Sequence, residues 1–252
     1  MCGRFTLTTN DYESVARAIG AQLDGPHASD FRARYNIAPS DRHWIVCIDG
    51  MADPDARVIS PAVWGLPAPP GSRSDPSIAH INARSETAAT KNSFRAAMRH
   101  RRVLIPASGF FEWKRQEGRK SQAYFIRPRE GGTVAFAGLM ETWAEPGGSE
   151  IDTAAILTTA ANHTIGHIHD RMPVIIGQDD FSRWLDCSGQ SPADVAELLR
   201  PAPDTLMEAV PISDRVNKVA NSDPGILEPV RVEEPKSDPA VTSDKNGQLP
   251  LL

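Results

Sequence analysis

Apolar residues recur along this chain with two different periods, and each period predicts a different kind of element. DYESVARAIGAQL, residues 11–23, has apolar residues at helical spacing and predicts a helix near the amino terminus. SETAATKNSFRAAMRH, residues 85–100, predicts a second helix with Ser85 as its N-cap. DDFSRWLD and SPADVAELLR, residues 179–186 and 191–200, predict two late helices.

Runs rich in β-branched and aromatic residues predict the strands. Two of them, RHWIVCID and ARVISPAVWGL, precede the second helix. Four follow it at short intervals: RVLIPASGFFEW, QAYFIRP, TVAFAGLMETW and DTAAILTTAA. EAVPISDRVNKVANSD predicts a final strand and loop. Because strands joined by short turns pair antiparallel, the pattern predicts an α+β fold. Its core would be a curved, largely antiparallel, barrel-like β-sheet with helices at the periphery.

Three stretches lack either period. FRARYNIAPS, residues 31–40, predicts a loop that Pro39 closes. PAPPGSRSDPS, residues 67–77, predicts a second loop rich in proline, glycine and serine. From residue 232 onward the chain is polar and punctuated by proline. The pattern therefore predicts one domain over residues 1–231 and a disordered tail over residues 232–252.

The composition is that of a globular chain with a sizeable core, at 252 residues with 40% hydrophobic and 23% charged positions. No apolar run approaches the roughly 18 residues that a membrane helix needs. The first 20 residues lack the apolar segment of a signal peptide. We therefore expect a cytoplasmic protein, or a nuclear one if the cell has a nucleus, and no membrane partner.

Charge and cysteine usage narrow the classes of function. The net charge of −5 argues against bulk electrostatic binding to nucleic acid. KNSFRAAMRHRR and EWKRQEGRK are nevertheless basic, and each is either part of a local basic groove or a solvated face. Three cysteines without a C-x-x-C pair argue against a disulfide framework or a zinc knuckle. Cys47, in an apolar run, is expected in a buried strand, and Cys187 after a helix.

Cys2 directly follows the initiator methionine in MCGRF. Removal of Met1 would leave an α-amine and a thiol on adjacent carbons. The pKa is about 8 for the amine and about 8.5 for the thiol, so both groups are partly deprotonated at neutral pH. Such an aminothiol condenses with an aldehyde to an imine, and the sulfur then closes a thiazolidine ring. The alternative interpretation is that position 2 merely tolerates a small residue.

HINARSET and GFFEWK carry further polar side chains. Alternation along a strand end would place Asn82 and Arg84 on one face, where an amide can fix the amino terminus and a guanidinium can bind a phosphate. Glu86 could instead complement a helix dipole. Glu112 lies between two aromatic residues, where desolvation favours the protonated carboxyl. Alternatively, strand alternation turns Glu112 towards water.

TIGHIHDRMP offers two histidines two positions apart, His167 and His169, which would point one way from an extended segment. Histidine is the usual general acid or base at neutral pH. Two histidines without an obvious third ligand do not predict a metal site. The alternative for each is a hydrogen-bonded structural histidine.

Together these segments resemble the SRAP family (SOS response-associated peptidase, abasic-site shielding proteins). The matching stretches cover residues 1 to about 230 in the family's order: MCGRF, RYNIAPS, WGL, INARSETA, GFFEWK, FAGLMETW, AILTTAAN, IHDRMPVII and VNKVAN. The resemblance implies an SRAP-like fold. It also implies that the protein senses abasic sites in single-stranded DNA, crosslinks to them through its terminal cysteine and shields the lesion. It implies no cofactor and no metal, and we expect a monomer.

The resemblance further implies individual roles. Cys2 would supply the amine and thiolate, Asn82 would hold the cysteine backbone, and Glu112 would move protons and orient the deoxyribose. His169 would protonate the sugar ring oxygen. Six residues would contact DNA: Arg4, Arg84 and Arg171 at phosphates, Trp113 and Pro39 along the strand, and Thr158 at the backbone.

One departure from the family lies between WGL and INAR, where its members carry a tryptophan. Here the loop has no aromatic residue, and Pro69, Pro70 and Arg73 stand there instead.

Two alternative functions remain open. One is a peptidase that uses Cys2 as an N-terminal nucleophile, with autoprocessing. The other is a non-covalent module that binds single-stranded DNA. Lyase activity, by elimination of the 3′ phosphate from the imine, would be secondary.

Overall fold

The architecture comes from a computed structural model that describes residues 2–23, 26–48, 56–67, 80–118, 120–144 and 148–232. Within these residues the strands are β1 (Phe5–Leu7), β2 (Arg34–Ile37), β3 (Arg42–Ile48), β4 (Arg57–Trp64), β5 (Asn82–Arg84), β6 (Arg102–Ala107), β7 (Gly109–Lys114), β8 (Gln122–Pro128), β9 (Val134–Ala144), β10 (Glu150–Ala160), β11 (Arg171–Pro173), β12 (Ile175–Ile176) and β13 (Met207–Ile212). The helices are α1 (Tyr12–Ile19), α2 (Ser85–Ala88), α3 (Arg95–His100), α4 (His163–Gly166) and α5 (Phe181–Leu185).

The strands form two sheets, one of which closes on itself. Five strands of the larger sheet pair in a ring, in the order β10, β4, β3, β6, β9 and back to β10. The smaller sheet has the order β13, β8, β7, β1, β2 and is antiparallel throughout. Only β4 and β5 run parallel to β10. The prediction of an α+β fold with a largely antiparallel, barrel-like sheet is confirmed.

The two sheets share one hydrophobic core. Phe5 of β1 is fully buried and packs edge-on against Trp64 of β4, with ring centroids 5.0 Å apart. It also contacts Phe136 of β9, and Phe110 of β7 reaches that same ring at 6.0 Å. Burying aromatic side chains contributes most of the free energy that holds such layers together. The first strand of the chain is thus fixed against the barrel.

Gly109 explains why one predicted strand became two. RVLIPASGFFEW reads as a single run, but β6 belongs to the barrel and β7 to the smaller sheet. Gly109 stands between them with φ of 151°, a conformation that favours glycine. A Cβ there would lie 2.4 Å from the backbone oxygen of Ile126, so only glycine lets the strands approach. The chain changes sheets at this residue.

The predicted helix over residues 85–100 is interrupted. Only its two ends, α2 and α3, are helical. Ser85 is the first residue of α2 rather than its N-cap, and Arg84 at the N-cap position makes no side-chain capping bond. Phe94 is buried and packs edge-on against the ring of His80. Because this side chain reaches the core, the chain leaves the helical path before α3.

Four other predictions concern the remaining segments. The predicted loop over residues 31–40 is wrong in part, because β2 forms there and pairs with β1. The predicted helix over 191–200 is wrong, since only Ala196–Leu198 forms a 3₁₀ turn. The carboxylate of Asp194 accepts hydrogen bonds from the backbone and hydroxyl of Ser191, which competes with a helix. Helix α1 and the α5 region form as predicted.

Parts of two predictions lie outside the described residues. These are the loop over 67–77, apart from residue 67, and the tail over 232–252, apart from residue 232. The domain boundary after residue 231 stays a prediction. Within the described part of the chain, no helix is long and apolar enough to cross a membrane.

His43 is a histidine buried in the core. Its side chain is buried, and its Nδ1 donates to the backbone oxygen of Trp44 at 3.1 Å. Nε2 has no hydrogen-bond partner among the described residues. Burial lowers the pKa of His43 to about 4, because a second proton would place an unsatisfied cation in the core.

We predict that acid destabilises the protein through His43. The unfolded imidazole has the higher pKa, so this contribution is complete above about pH 6.5 and is lost as the pH falls towards 4. Between pH 7 and 5 the free energy of unfolding should fall by roughly 2 kcal/mol from this group alone. Denaturant unfolding of His43→Asn should show a smaller fall over that range, whereas the exposed control His100→Asn should match the wild type. Equal falls in all three proteins would contradict the assignment.

Candidate active site

The pairing of β1 with β7 brings the amino terminus beside Glu112. Phe5 lies opposite Phe110, and the backbone N–H of Phe111 donates to the oxygen of Arg4 at 3.0 Å. Continuing this antiparallel register places residue 2 opposite Trp113, the residue that follows Glu112. Cys2 is fully buried there.

Asn82 links Cys2 to the barrel. Its side-chain amide donates to the backbone oxygen of Cys2 at 2.8 Å. Asn82 begins β5, which runs parallel to β10 with Asn82 opposite Ile156. The bond therefore joins the smaller sheet to the larger one at the site. Asn82 Oδ1 is buried and has no hydrogen-bond partner among the described residues.

A gap in the barrel wall positions His169. Strands β9 and β10 pair only as far as Gly138 and Ile156. Beyond that point β10 pairs with β11 and β9 pairs with β12, so residues 171–176 fill the space between them. His169 lies two residues before this segment begins. Nε2 of His169 lies 4.0 Å from Oε2 of Glu112.

The Cys2 thiol is held in its protonated form. Burial raises its pKa well above the ordinary value, and the negative charge of Glu112 raises it further. The sulfur donates a weak hydrogen bond to the backbone oxygen of Arg4 at 3.7 Å. A thiolate at this position therefore requires a base that takes the proton when the substrate arrives.

Glu112 is suited to be that base. Its side chain is 3% exposed, as the desolvated alternative of the sequence analysis predicts, and it does not turn towards water. Burial raises the pKa of Glu112 to about 7, although the positive charge of the amino terminus acts in the opposite direction. A carboxyl with this pKa can both accept and donate a proton at neutral pH.

The hydrogen bonds of His169 define its tautomer. Nδ1 accepts from the backbone N–H of Arg171 at 3.0 Å, so the proton of a neutral ring sits on Nε2, facing Glu112. Asp170 also lies 3.1 Å from Nδ1, but that nitrogen cannot donate to Asp170 while it accepts from the backbone. Burial lowers the pKa of His169, so the neutral ring prevails.

His167 takes no part in this arrangement. The segment predicted to be extended contains α4, with the Asn162 side chain capping it through the N–H of Ile165 at 3.1 Å. His167 lies at the helix C-cap and contacts the ring of Tyr124 edge-on. The expectation that His167 and His169 point one way from an extended segment is therefore wrong.

The predicted DNA contacts Arg171 and Thr158 are occupied within the protein. The guanidinium of Arg171 donates to both carboxylate oxygens of Glu86, at 2.5 and 2.9 Å, and to the backbone oxygen of Thr158 at 2.6 Å. Thr158 is fully buried, and its hydroxyl donates to Ala83 at 3.5 Å. Glu86 thus pairs with a cation, and a phosphate would have to displace it.

The other predicted contacts lie nearer the surface. Arg84 and Pro39 are exposed, and Arg84 makes no ion pair with the described residues. Trp113 is half-buried, and its indole N–H donates to Asn217 at 2.6 Å. Arg4 is half-buried and also hydrogen-bonds within the protein. The loop positions Pro69, Pro70 and Arg73 lie outside the described residues.

Sequence reasoning missed Asn36, which is 3% exposed and hydrogen-bonds with Arg4 and with three backbone oxygens of a distant segment. Its only signal was a polar residue inside a short stretch predicted to be a loop. In the described part of the chain, no group of three or more histidine, cysteine, aspartate or glutamate residues could hold a metal ion.

Comparison with known proteins identifies relatives over most of the chain. The family model described as "SOS response associated peptidase (SRAP)" matches residues 1–219. "Abasic site processing protein YoqW" of Bacillus subtilis is 34% identical over 230 residues, which are 90% of this chain and 99% of that protein. "Abasic site processing protein YedK" of Escherichia coli is 32% identical over 235 residues, 91% and 100% of the two chains. A crystal structure from Bacteroides thetaiotaomicron superposes with a TM-score of 0.78 at 26% identity, covering 91% and 100%.

We predict that Glu112→Gln lowers the pKa of the Cys2 thiol, because it removes the negative charge that opposes thiolate formation. The measurement is alkylation by iodoacetamide as a function of pH, read by mass spectrometry on the peptide that contains Cys2. Labelling of Glu112→Gln should begin at lower pH than labelling of the wild type. The exposed control Glu117→Gln should behave like the wild type. Identical profiles for all three would mean that the charge of Glu112 does not reach the sulfur.

Proposed function

Because this chain belongs to the SRAP family, we propose that it processes abasic sites in single-stranded DNA by covalent capture. After Met1 is removed, Cys2 forms a thiazolidine crosslink with the open sugar and so shields the lesion. The observation that carries the proposal is the convergence of four side chains where the two sheets meet: Cys2, Asn82, Glu112 and His169.

The capture releases one water molecule. An abasic deoxyribose opens to an aldehyde at C1′, and the α-amine of Cys2 adds to this carbon to give a carbinolamine. Loss of water gives an imine. The sulfur then bonds to the same carbon while the thiol proton leaves and the imine nitrogen gains one. The product is a five-membered ring, and both of its new bonds must break before the DNA is released.

Two groups move the protons. The Cys2 thiol begins protonated, so Glu112, with a pKa of about 7, accepts its proton when the sulfur attacks. His169 acts as an acid in its minor imidazolium form, in which Nδ1–H faces Asp170 and Nε2–H lies on the Glu112 side; it gives the Nε2 proton to the sugar ring oxygen, which favours the open aldehyde, and returns to a neutral ring. The 4.0 Å between Glu112 and His169 allows a proton to pass between them through a substrate hydroxyl or a water molecule.

Asn82 supplies orientation rather than proton transfer. Its amide nitrogen fixes the backbone oxygen of Cys2. Its Oδ1, buried and without a partner among the described residues, is the acceptor for an N–H of the new α-amine once Met1 is gone, which leaves the nitrogen lone pair for the aldehyde. The two bonds together would hold both ends of residue 2 and point its amine towards the substrate.

The DNA strand would follow the exposed side of the site. Arg84 is exposed and available to a phosphate, and Pro39 and the half-buried Trp113 would lie along the strand. Arg171 reaches a phosphate only by exchanging Glu86 for it, and Arg4 only by leaving its partners within the protein. The Thr158 hydroxyl would reach the DNA backbone only after a shift of β5 or β10, because it is buried between them.

The proposal also specifies the oligomeric state and the cellular location in which the reaction would take place. All four central side chains come from one chain, so a monomer suffices. The protein would act in the cytoplasm of a bacterium, at the nucleoid, or in the nucleus of a eukaryote.

The imine can alternatively lose the 3′ phosphate and nick the strand, so lyase activity competes with ring closure. Peptidase activity, including self-processing, would use the same amine and thiol on an amide.

The first test mixes the Met1-processed protein with single-stranded DNA that contains one abasic site. We predict a shifted band on a denaturing gel for the wild type and none for Cys2→Ala, because the sulfur closes the ring. Borohydride should restore a band for Cys2→Ala by trapping the imine that its amine still forms. Cys47→Ala is the matched control and should crosslink normally. A peptidase would cleave a peptide panel and give no band, and a non-covalent binder would give no band although it binds the strand.

The second test separates chemistry from binding. Glu112→Gln and His169→Ala should slow crosslinking at saturating DNA at least tenfold, since general acid–base groups contribute about 10²–10⁴-fold, while affinity changes less than about threefold. The rate component that rises through about pH 7 should disappear in Glu112→Gln, because Glu112 acts as a base only when ionised.

Arg84→Ala should do the reverse and weaken binding without changing the saturated rate. Equal losses of rate and affinity in Glu112→Gln would make this residue structural.

A further inference from the structure

A short loop near the carboxyl end of the described chain is held by hydrogen bonds from three side chains that lie far away in the sequence. We call residues 217–221 the KVA loop, after its three central residues. Asn36, almost fully buried, donates to the backbone oxygens of Val216, Lys218 and Asn221, at 3.1, 3.3 and 2.8 Å. Asn36 lies about 180 residues earlier in the sequence. The two hydrogens of one buried amide are thus shared among the residue before the loop, a residue within it and its last residue.

Arg4 and Trp113 connect the loop to the active site. Arg4 donates to Asn36 Oδ1 at 2.7 Å and to the backbone oxygens of Val216 and Asn217 at 3.0 and 3.2 Å. Trp113 donates to the Asn217 side chain at 2.6 Å. Arg4 is two residues from Cys2, and Trp113 is adjacent to Glu112. The KVA loop is therefore attached, through Arg4 and Trp113, to the two segments that carry Cys2 and Glu112.

The tip of the loop presents an apolar side chain beside a positive charge. Val219 is 45% exposed and is one of only four large hydrophobic side chains that are exposed in the described residues. Lys218 is exposed and makes no ion pair with the described residues. Single exposed apolar residues are common on protein surfaces. Val219 differs from such residues because Asn36, Arg4 and Trp113 all hydrogen-bond to the turn that exposes it.

We infer that the KVA loop forms one wall of the DNA-binding groove. Val219 packs against the sugar and the unstacked base next to the abasic nucleotide, and Lys218 binds a neighbouring phosphate. Asn36 is a positioning residue that holds both in place. Arg4 then supports DNA binding by holding this loop in place, in addition to any direct contact with a phosphate. The inference rests on the proposed function, because it takes single-stranded DNA as the substrate.

The chemistry of the tip favours nucleic acid over a protein partner. An exposed lysine next to a small apolar side chain matches the alternating phosphates and apolar sugar and base faces of a single strand. The loop has five residues, whereas a stable protein interface uses about 20–30 residues on each partner. It continues the side of the site that already carries Trp113.

Binding to a strand that cannot crosslink tests the inference. The probe is fluorescently labelled single-stranded DNA with a tetrahydrofuran in place of the abasic sugar, read by anisotropy. Val219→Ser should weaken binding by about three- to tenfold, because it removes an apolar contact. Leu23→Ser is the matched control, since Leu23 is also 45% exposed and lies after α1. It should bind like the wild type. Equal affinity of Val219→Ser and wild type, or equal loss in the control, would overturn the inference.

The charge at the tip has a separate signature. Lys218→Ala should reduce the slope of log K against log salt by about 0.7, the value for one phosphate contact on a single strand. Arg129→Ala, which removes one positive charge beyond the far end of β8, should leave the slope unchanged. An unchanged slope for Lys218→Ala would remove Lys218 from the interface.

The positioning role of Asn36 predicts non-additivity. Asn36→Ala should weaken binding, and adding Val219→Ser should weaken it no further, because the apolar tip is no longer held in place. Additive losses would show that Asn36 does not act through the loop. If Asn36→Ala fails to fold, the two surface variants still decide the question.

These outcomes are separable from the proposed function. If the wild type fails to crosslink natural abasic DNA but binds the tetrahydrofuran strand through Val219, covalent capture is wrong and the groove wall stands. If it crosslinks and Val219→Ser binds normally, only the groove wall is wrong. A wild type that does not bind the strand at all overturns both.

Discussion

The pairing of β1 with β7 is the constraint on which the rest of this structure depends. It covers few residues, yet it fixes the start of the chain against a strand made a hundred residues later. Phe5 anchors the pair in the core that the two sheets share. Gly109 makes the close approach possible, because no other residue has room for its side chain there. A chemically ordinary residue, Cys2, thereby becomes a buried group with a perturbed pKa beside a buried carboxyl.

Local patterns in the sequence predicted most strands and helix α1, because alternation and helical spacing report which face of an element is buried. They failed where distant pairing decides the outcome. Residues 34–37 look like a loop in isolation and become β2 only because β1 is beside them. The helix predicted over residues 85–100 is interrupted where Phe94 turns into the core. Such tertiary demands override local preference and leave no periodic trace.

The candidate site shows the same division. The sequence left two environments open for Glu112, and the structure selects the buried one, while the linkage of Asn82 to Cys2 agrees with the family resemblance. The partners of the arginines could not be predicted. Arg4 hydrogen-bonds more than 200 residues away and Arg171 pairs with Glu86, so side chains expected to meet phosphates already have partners. Residue type predicts what a group can bind, whereas the fold decides what it binds first.

The burial of Cys2 has a consequence in time as well as in space. Strand β7 leaves the ribosome roughly 100 residues after the start of the chain, which corresponds to about 5–20 s at ordinary rates of protein synthesis. During that interval the amino terminus has no partner strand and is open to an aminopeptidase. Afterwards residue 2 is enclosed between the sheets. If Cys2 acts as proposed, removal of Met1 is therefore easiest while the chain is still being synthesised, before β1 and β7 pair and residue 2 is buried.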